Sequence, residues 1–134
     1  MAAVFLDVDR FKRVNDCLGH AVGDEVLRTV ARILAMAIRE TDTAIRYGGE
    51  DFVLILPNCD EQGGAIFAER VRRLVERHDW SVHFPEDWDR GVTVSLGVAE
   101  YRGASVSVWM DRADKAMYEA KRKGRNRTCR ESQL

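Results

Sequence analysis

Three cysteines in 134 residues, Cys17, Cys59 and Cys129, are too few and too irregularly spaced for a disulfide framework or a thiolate metal site. Reduced thiols and a cytoplasmic location are therefore expected. An excess of one charge is also missing: 21 Lys and Arg against 22 Asp and Glu leave a net charge of −1. That balance gives no broad electrostatic pull toward nucleic acid or an anionic membrane. The basic cluster KRKGRNR (Lys121–Arg127) is a local exception, but it lacks the interleaved aromatics that stack on bases, so no nucleic-acid partner is expected. No apolar run approaches the roughly 18 residues that a membrane helix needs, so no membrane contact is expected. The N-terminus shows no basic region followed by an apolar stretch and a cleavage site, so no signal peptide is expected. Repeats, linkers and low-complexity stretches are absent too. A hydrophobic content of 46% fits one domain with a single core, expected over residues 1–128, with 129–134 as a C-terminal tail.

The stretch AAVFLDV is nearly unbroken in its apolarity, as a central strand buried on both faces should be. DRFKRVNDCLGHAVGD comes next, with room for a small helix between breaks at Gly19 and Gly23. From Glu25 to Ile38, Val26, Val30, Ile33, Leu34 and Ala37 recur at three- and four-residue spacing and predict a helix. TAIRY and DFVLILP read as strands around Gly48-Gly49, a pair suited to a tight hairpin whose central residues need positive φ. A second helix is predicted from Glu61 to His78, with Ile66, Phe67, Val71, Leu74 and Val75 inward. WSVHF and VTVSLGVAEY read as two more strands around the turn-rich PEDWDRG. A last helix, Ser105 to Lys123, is expected to bury Val108, Trp109, Ala113, Ala116, Met117 and Ala120 before Gly124 stops it. The implied fold class is α/β (α+β), with a mixed, antiparallel-containing sheet flanked by helices, of the ferredoxin-like or palm kind.

Acidic residues stand where this fold should be dry. Asp7 and Asp9 close the first strand, and their period-two spacing puts both on one face if the chain stays extended. A carboxylate there is costly unless it is paired or bound to a metal. Glu50 and Asp51 come directly after the Gly-Gly turn, and a hairpin tip beside the first strand's end brings Asp7 and Glu50 together. Two converging carboxylates beside bare glycine backbone suit a Mg²⁺ that also holds phosphates. The plainer alternative is a set of solvated strand-end acids. Asp24 has its own plain alternative as a helix N-cap, and Asn15 as a turn residue.

LDVDRFKRVNDCLGHAVGDEVL, RYGGEDF, VTVSLGVAE and ADKAMYEAKRKGRN resemble, in order and spacing, the successive signatures of the GGDEF family, from about Val4 to Arg127. The resemblance implies a diguanylate cyclase, which joins two GTP into cyclic di-GMP and releases two pyrophosphates. It implies a homodimer with one GTP per subunit and Mg²⁺ (or Mn²⁺) as the cofactor. Asp7, the Val8 carbonyl and Glu50 would hold the metal, with Glu50 and Asp51 as the catalytic acids. Asn15 and Asp24 would read guanine, since a carboxylate can accept from its N1–H and amine while adenine offers no such pair. Arg10, Phe11 and Lys12, partly through backbone N–H groups, and Lys121 and Arg125 would hold the phosphates, with Gly48 and Gly49 turning over the nucleotide. The segment RETD resembles the family's RxxD motif, which implies an inhibitory cyclic di-GMP site at Arg39 and Asp42, with Arg70 or Arg72 as an additional guanidinium. Two residues of RETD also fit a plain i,i+3 surface ion pair.

Two departures from the family pattern stand out. The signature is GGEDF, where active members usually carry Glu at the fourth position. Asp51 withdraws its carboxylate by roughly one C–C bond, and a misplacement of about 1 Å can cost on the order of a hundredfold in rate. Members also carry a D-x-L-T segment ahead of the first strand, and here Met1 lies almost on that strand, so a truncated domain is expected. These departures keep a sensor of GTP or cyclic di-GMP without turnover as the alternative function. A cyclase making a 3′,5′-cyclic monophosphate, from a related palm-like site, is a third.

Overall fold

The computed structural model describes residues 1–88 and 91–134. Its centre is β1 (Ala2–Val8), every residue of which is buried because the strand is paired on both edges. Antiparallel neighbours β3 (Asp51–Leu56) and β4 (Val94–Glu100) flank it, and β2 (Thr43–Arg46) pairs antiparallel with β3 at the outer edge. The fifth strand, β5 (Thr128–Arg130), runs parallel to β4, giving the order β2-β3-β1-β4-β5. Side chains alternate across β1. Ala2, Val4, Leu6 and Val8 join one apolar cluster with α2 (His20–Ala37) and α3 (Glu61–Arg77), while Ala3 and Phe5 join another under α4 (Val106–Arg122). Burying each Val or Leu of this kind contributes about 1.5–3 kcal/mol. The mixed α/β class expected from the sequence is the one observed.

Several boundaries move. The small helix is real, α1 (Phe11–Leu18), and α2 begins at His20, five residues earlier than its apolar stripe suggests. On α3 the buried positions are Glu61, Gly64, Ala68, Val71 and Val75, whereas Ile66 and Leu74 are 66% and 45% exposed. Val108, expected inside, is likewise exposed, because α4 meets the sheet through Trp109, Ala113, Ala116 and Met117. Glycine decides how close α4 comes: a Cβ at Gly97 of β4 would overlap the backbone of Met117 and Ala113.

WSVHF is not a strand. Asp79 caps a 3-10 turn, Trp80–Val82, and Trp80 and Phe84 both turn into the core while Val82 stays 71% exposed. The Trp80 indole donates to the Val75 carbonyl at the end of α3, an acceptor that a strand would not have offered it. The turn expected at PEDWDRG includes Asp89 and Arg90, which lie outside the described residues. The edge position that WSVHF does not fill is taken by β5, in a segment read from the sequence as the domain's end and its tail. Buried Glu61 ties that segment down, accepting from Arg130 and from the backbone and hydroxyl of Ser132.

Candidate active site

β1, β3 and α4 meet at one end of the sheet. The register sets Asp7 opposite Asp51, and the Val8 N–H lies 3.4 Å from the Glu50 carbonyl, so the strand end and the hairpin tip are adjacent. The tip is wider than a two-residue turn: β2 stops at Arg46, β3 starts at Asp51, and the Tyr47 N–H donates to the Asp51 carbonyl at 2.8 Å. Only Gly48 takes a positive φ, +79°, while the Arg46 guanidinium donates to the Gly49 carbonyl at 2.7 Å and closes the loop. Two glycines thus serve different ends, one conformational and one an acceptor with bare backbone.

A cavity of about 850 Å³ opens at this junction, lined by Asp7, Glu50, Asp51, Asp114, Lys121 and others from the second half of α4. Asp114 gave no signal of its own in the sequence, because it reads as an ordinary polar position of a helix. Burial, and then the charge of Asp51, push the Glu50 carboxyl above its ordinary range. Burial and then Asp114 do the same to Asp51. Lys121 touches the Asp7 carboxylate through Nζ, which favours its charged form. Burial, and after it the Arg125 guanidinium, nevertheless holds Lys121 below the usual lysine range.

This donor set fits a hard divalent cation. Asp7 is 2% exposed, and its Oδ1 has no hydrogen-bond partner, an expensive state for a buried carboxylate oxygen. Asp7 and Glu50 offer oxygen ligands of the kind Mg²⁺ takes, and one or two carboxylates completed by substrate phosphates suffice for it. Among the described residues no three His, Cys, Asp or Glu side chains are grouped to hold a metal alone.

Asp9 is not part of this cavity, contrary to the one-face expectation. The chain leaves the strand after Val8, and Asp9 accepts instead from the Ser95 hydroxyl at 2.6 Å, the Thr93 hydroxyl at 2.7 Å and the Asn126 N–H at 3.0 Å. Arg10 comes next in a left-handed conformation, φ +57°, and starts α1. Phe11 is buried in the core, while the Lys12 side chain is exposed. None of Arg10, Phe11 and Lys12 lines the cavity.

Asn15 comes within one residue of Asp24 across the α1–α2 contact. Asn15 of α1 packs against Gly23 of α2 so tightly that a Cβ there would overlap its Oδ1, and Asp24 is the next residue. Asp24 is not an N-cap: α2 starts at His20 with Gly19 before it, leaving the Asp24 side chain exposed and uncommitted to the helix end. It borders a second cavity of about 570 Å³ between α2 and the β2–β3 hairpin, with Leu27, Arg28 and Phe52. Phe52 is core, as Phe11 is.

A third cavity, about 300 Å³, is lined by Arg39, Asn58, Phe67 and Arg70 among others. Arg39 meets Asp42 through its backbone N–H, 2.9 Å, and through Nε, 3.5 Å, so the local ion pair is present. Arg70 donates to the Ala37 carbonyl and lies over the Phe67 ring. Arg72, the alternative, turns away to Glu69, Glu76 and Asn126.

The profile of the family described as "Diguanylate cyclase, GGDEF domain" matches residues 1–127. The chain belongs to the GGDEF family. It is 42% identical over 129 residues to "Diguanylate cyclase A" of Treponema denticola, covering 95% of this chain and 34% of that protein. The GGDEF domain of DgcB from Caulobacter crescentus, solved in complex with c-di-GMP, superposes with a TM-score of 0.88 at 36% identity, covering 98% of this chain and 77% of that one. The active GGEEF domain of a diguanylate cyclase from Vibrio cholerae gives 0.87 at 32% identity, with coverages of 96% and 81%. This GGDEF chain spans about a third of the length of the curated Treponema relative. Among its described residues no helix is long and apolar enough to cross a membrane.

Proposed function

We propose that this GGDEF domain is a diguanylate cyclase, condensing two GTP into cyclic di-GMP and two pyrophosphates as a cytoplasmic homodimer with one GTP per subunit. One observation carries the reading: the buried, half-unpartnered Asp7 carboxylate shares a cavity with Glu50, Asp51 and Lys121. Asp7, the Val8 carbonyl and Glu50 would hold Mg²⁺ or Mn²⁺, which when bound neutralises phosphate charge and acidifies the attacking hydroxyl. Lys121, released from Asp7 by that cation, would turn to the phosphates with Arg125, while backbone N–H groups around Arg10, Phe11 and Lys12 cradle them. Asn15 and Asp24 would bind the guanine edge. Asp51 would orient the 3′-hydroxyl that attacks the partner subunit's α-phosphate, so one chain alone cannot finish the product.

Arg39, Asp42 and Arg70 would form an inhibitory product site, with Arg39 and Arg70 bordering the third cavity and Asp42 holding Arg39 from behind. Arg70 is favoured over Arg72 by its place in that cavity and by the carboxylates that already occupy Arg72. The test is incubation of concentrated protein with GTP and Mg²⁺, read by mass spectrometry. Cyclic di-GMP from the wild type and none from Glu50→Ala is expected. A folded, dimeric wild type that yields none sinks the catalytic reading and leaves a nucleotide-binding sensor, and a 3′,5′-cyclic monophosphate in its place overturns the two-GTP reaction.

A further inference from the structure

We propose that Asp9 is a positioning residue, whose carboxylate clamps the left-handed backbone after α4 and so keeps Lys121 and Arg125 aligned with the end of β1. This role rests on the diguanylate cyclase reading of the site and fills a place that reading leaves empty. Asp9 is 7% exposed and carries no ion pair among the described residues. It accepts three hydrogen bonds from two separate stretches: the hydroxyls of Thr93 and Ser95, and the backbone N–H of Asn126.

The third bond is the informative one. Gly124, Arg125 and Asn126 have φ of +126°, +67° and +47° in succession. Left-handed conformations at two consecutive non-glycine residues are unfavourable and persist only where surrounding contacts over-determine them. The Asn126 side chain is held from α3, by Arg72 and Glu76. Its backbone is held from just beyond β1, by Asp9. The two acids of the DVD triplet therefore reach the same helix end, Asp7 from the end of β1 and Asp9 from just beyond it: Asp7 meets Lys121, and Asp9 fixes the loop just past Gly124. With Val8 between them, a shift of this loop moves the phosphate cations relative to the cation ligands.

Asp9→Ala and Asp9→Asn in the complete chain separate this role from plain structure. Calorimetry with Mg²⁺·GTP and with guanosine is the readout, with hydrogen exchange at the Asn126 amide. Asp9→Ala is expected to weaken GTP binding by about tenfold or more, as misalignment by a fraction of an ångström to 1 Å does. Guanosine affinity should stay near the wild-type value, because Asn15 and Asp24 are untouched, and the Asn126 amide should lose protection. Asp9→Asn should recover most of the GTP affinity: its oxygen can still accept from Asn126 while its amide donates to the rotatable Ser95 hydroxyl. Should Asp9→Ala not fold, Thr93→Val removes one donor and is expected to give a smaller loss with the same preference for GTP over guanosine. Equal losses for GTP and guanosine, or wild-type GTP binding by the alanine variant, overturn the proposal. A wild type that binds neither ligand sinks the active-site reading instead, and exchange at Asn126 then still decides whether Asp9 holds the loop.

Discussion

At the scale of single residues, the site works against the stability of the empty protein. Glu50 and Asp51 have folded-state pKa values above their ordinary ones, through burial first and then each one's acidic neighbour. Between the unfolded and folded values the native state binds more protons than the unfolded one, so stability falls as pH rises through that window. Their destabilisation thus grows from acid toward neutral pH. Glu50→Gln is therefore expected to raise the melting temperature of the metal-free protein at pH 7 and to leave it nearly unchanged below about pH 4, while abolishing stabilisation by Mg²⁺ with GTP. Thermal scans at both pH values check this, and a lower melting temperature for the variant at pH 7 contradicts it. Protons also compete with the cation for these oxygens, so GTP binding should weaken on acidification sooner than ordinary carboxylates would dictate. Asp51→Glu extends the reach by about one C–C bond. It is expected to raise kcat in a turnover assay, by up to about a hundredfold if the shortfall approaches 1 Å.

At the scale of elements, α4 carries the cation end of the site and Gly97 sets its depth. Gly97→Ala drives a methyl into the backbone of Met117 and Ala113, which cannot yield as a flexible side chain would. A loss of about 3 kcal/mol in denaturant unfolding is expected, at the upper end for overpacking, together with weaker GTP binding as Lys121 moves. On α3 the two arginines separate cleanly. Arg70→Ala should relieve inhibition of turnover by cyclic di-GMP and spare stability, whereas Arg72→Ala should destabilise the fold and leave inhibition intact. Much of this was legible in the chain: the β1 run and a Gly-Gly hairpin tip lying beside the end of β1 come from apolar pattern and turn chemistry. Other parts were not. WSVHF alternates like a strand, yet the Trp80 indole finds its acceptor at the end of α3, a tertiary fact. Thr128–Arg130 has too few residues for a pattern, and it pairs because Glu61 anchors Arg130 and Ser132. Asp9 looked like a partner of Asp7 because spacing cannot say where a strand stops.

At the scale of the whole molecule, three of the cavities among the described residues lie at separate places and are proposed to take phosphate and metal, guanine, and product. The first two both border the β2–β3 hairpin, one through Glu50 and Asp51 and the other through Arg46 and Phe52, and the sheet order puts β1 at the centre. Catalysis by this route needs a second copy of the chain, whereas cation binding does not, so the cation is the most exposed point. Electron paramagnetic resonance of Mn²⁺ titrated into the protein with GTP, for the wild type, Asp7→Asn and Glu50→Gln, reads that step alone. One tightly held Mn²⁺ per chain that needs GTP, and a loss of affinity of roughly tenfold or more in each variant, is the expected result. Mn²⁺ held equally well after either substitution would mean that these two carboxylates do not share an ion.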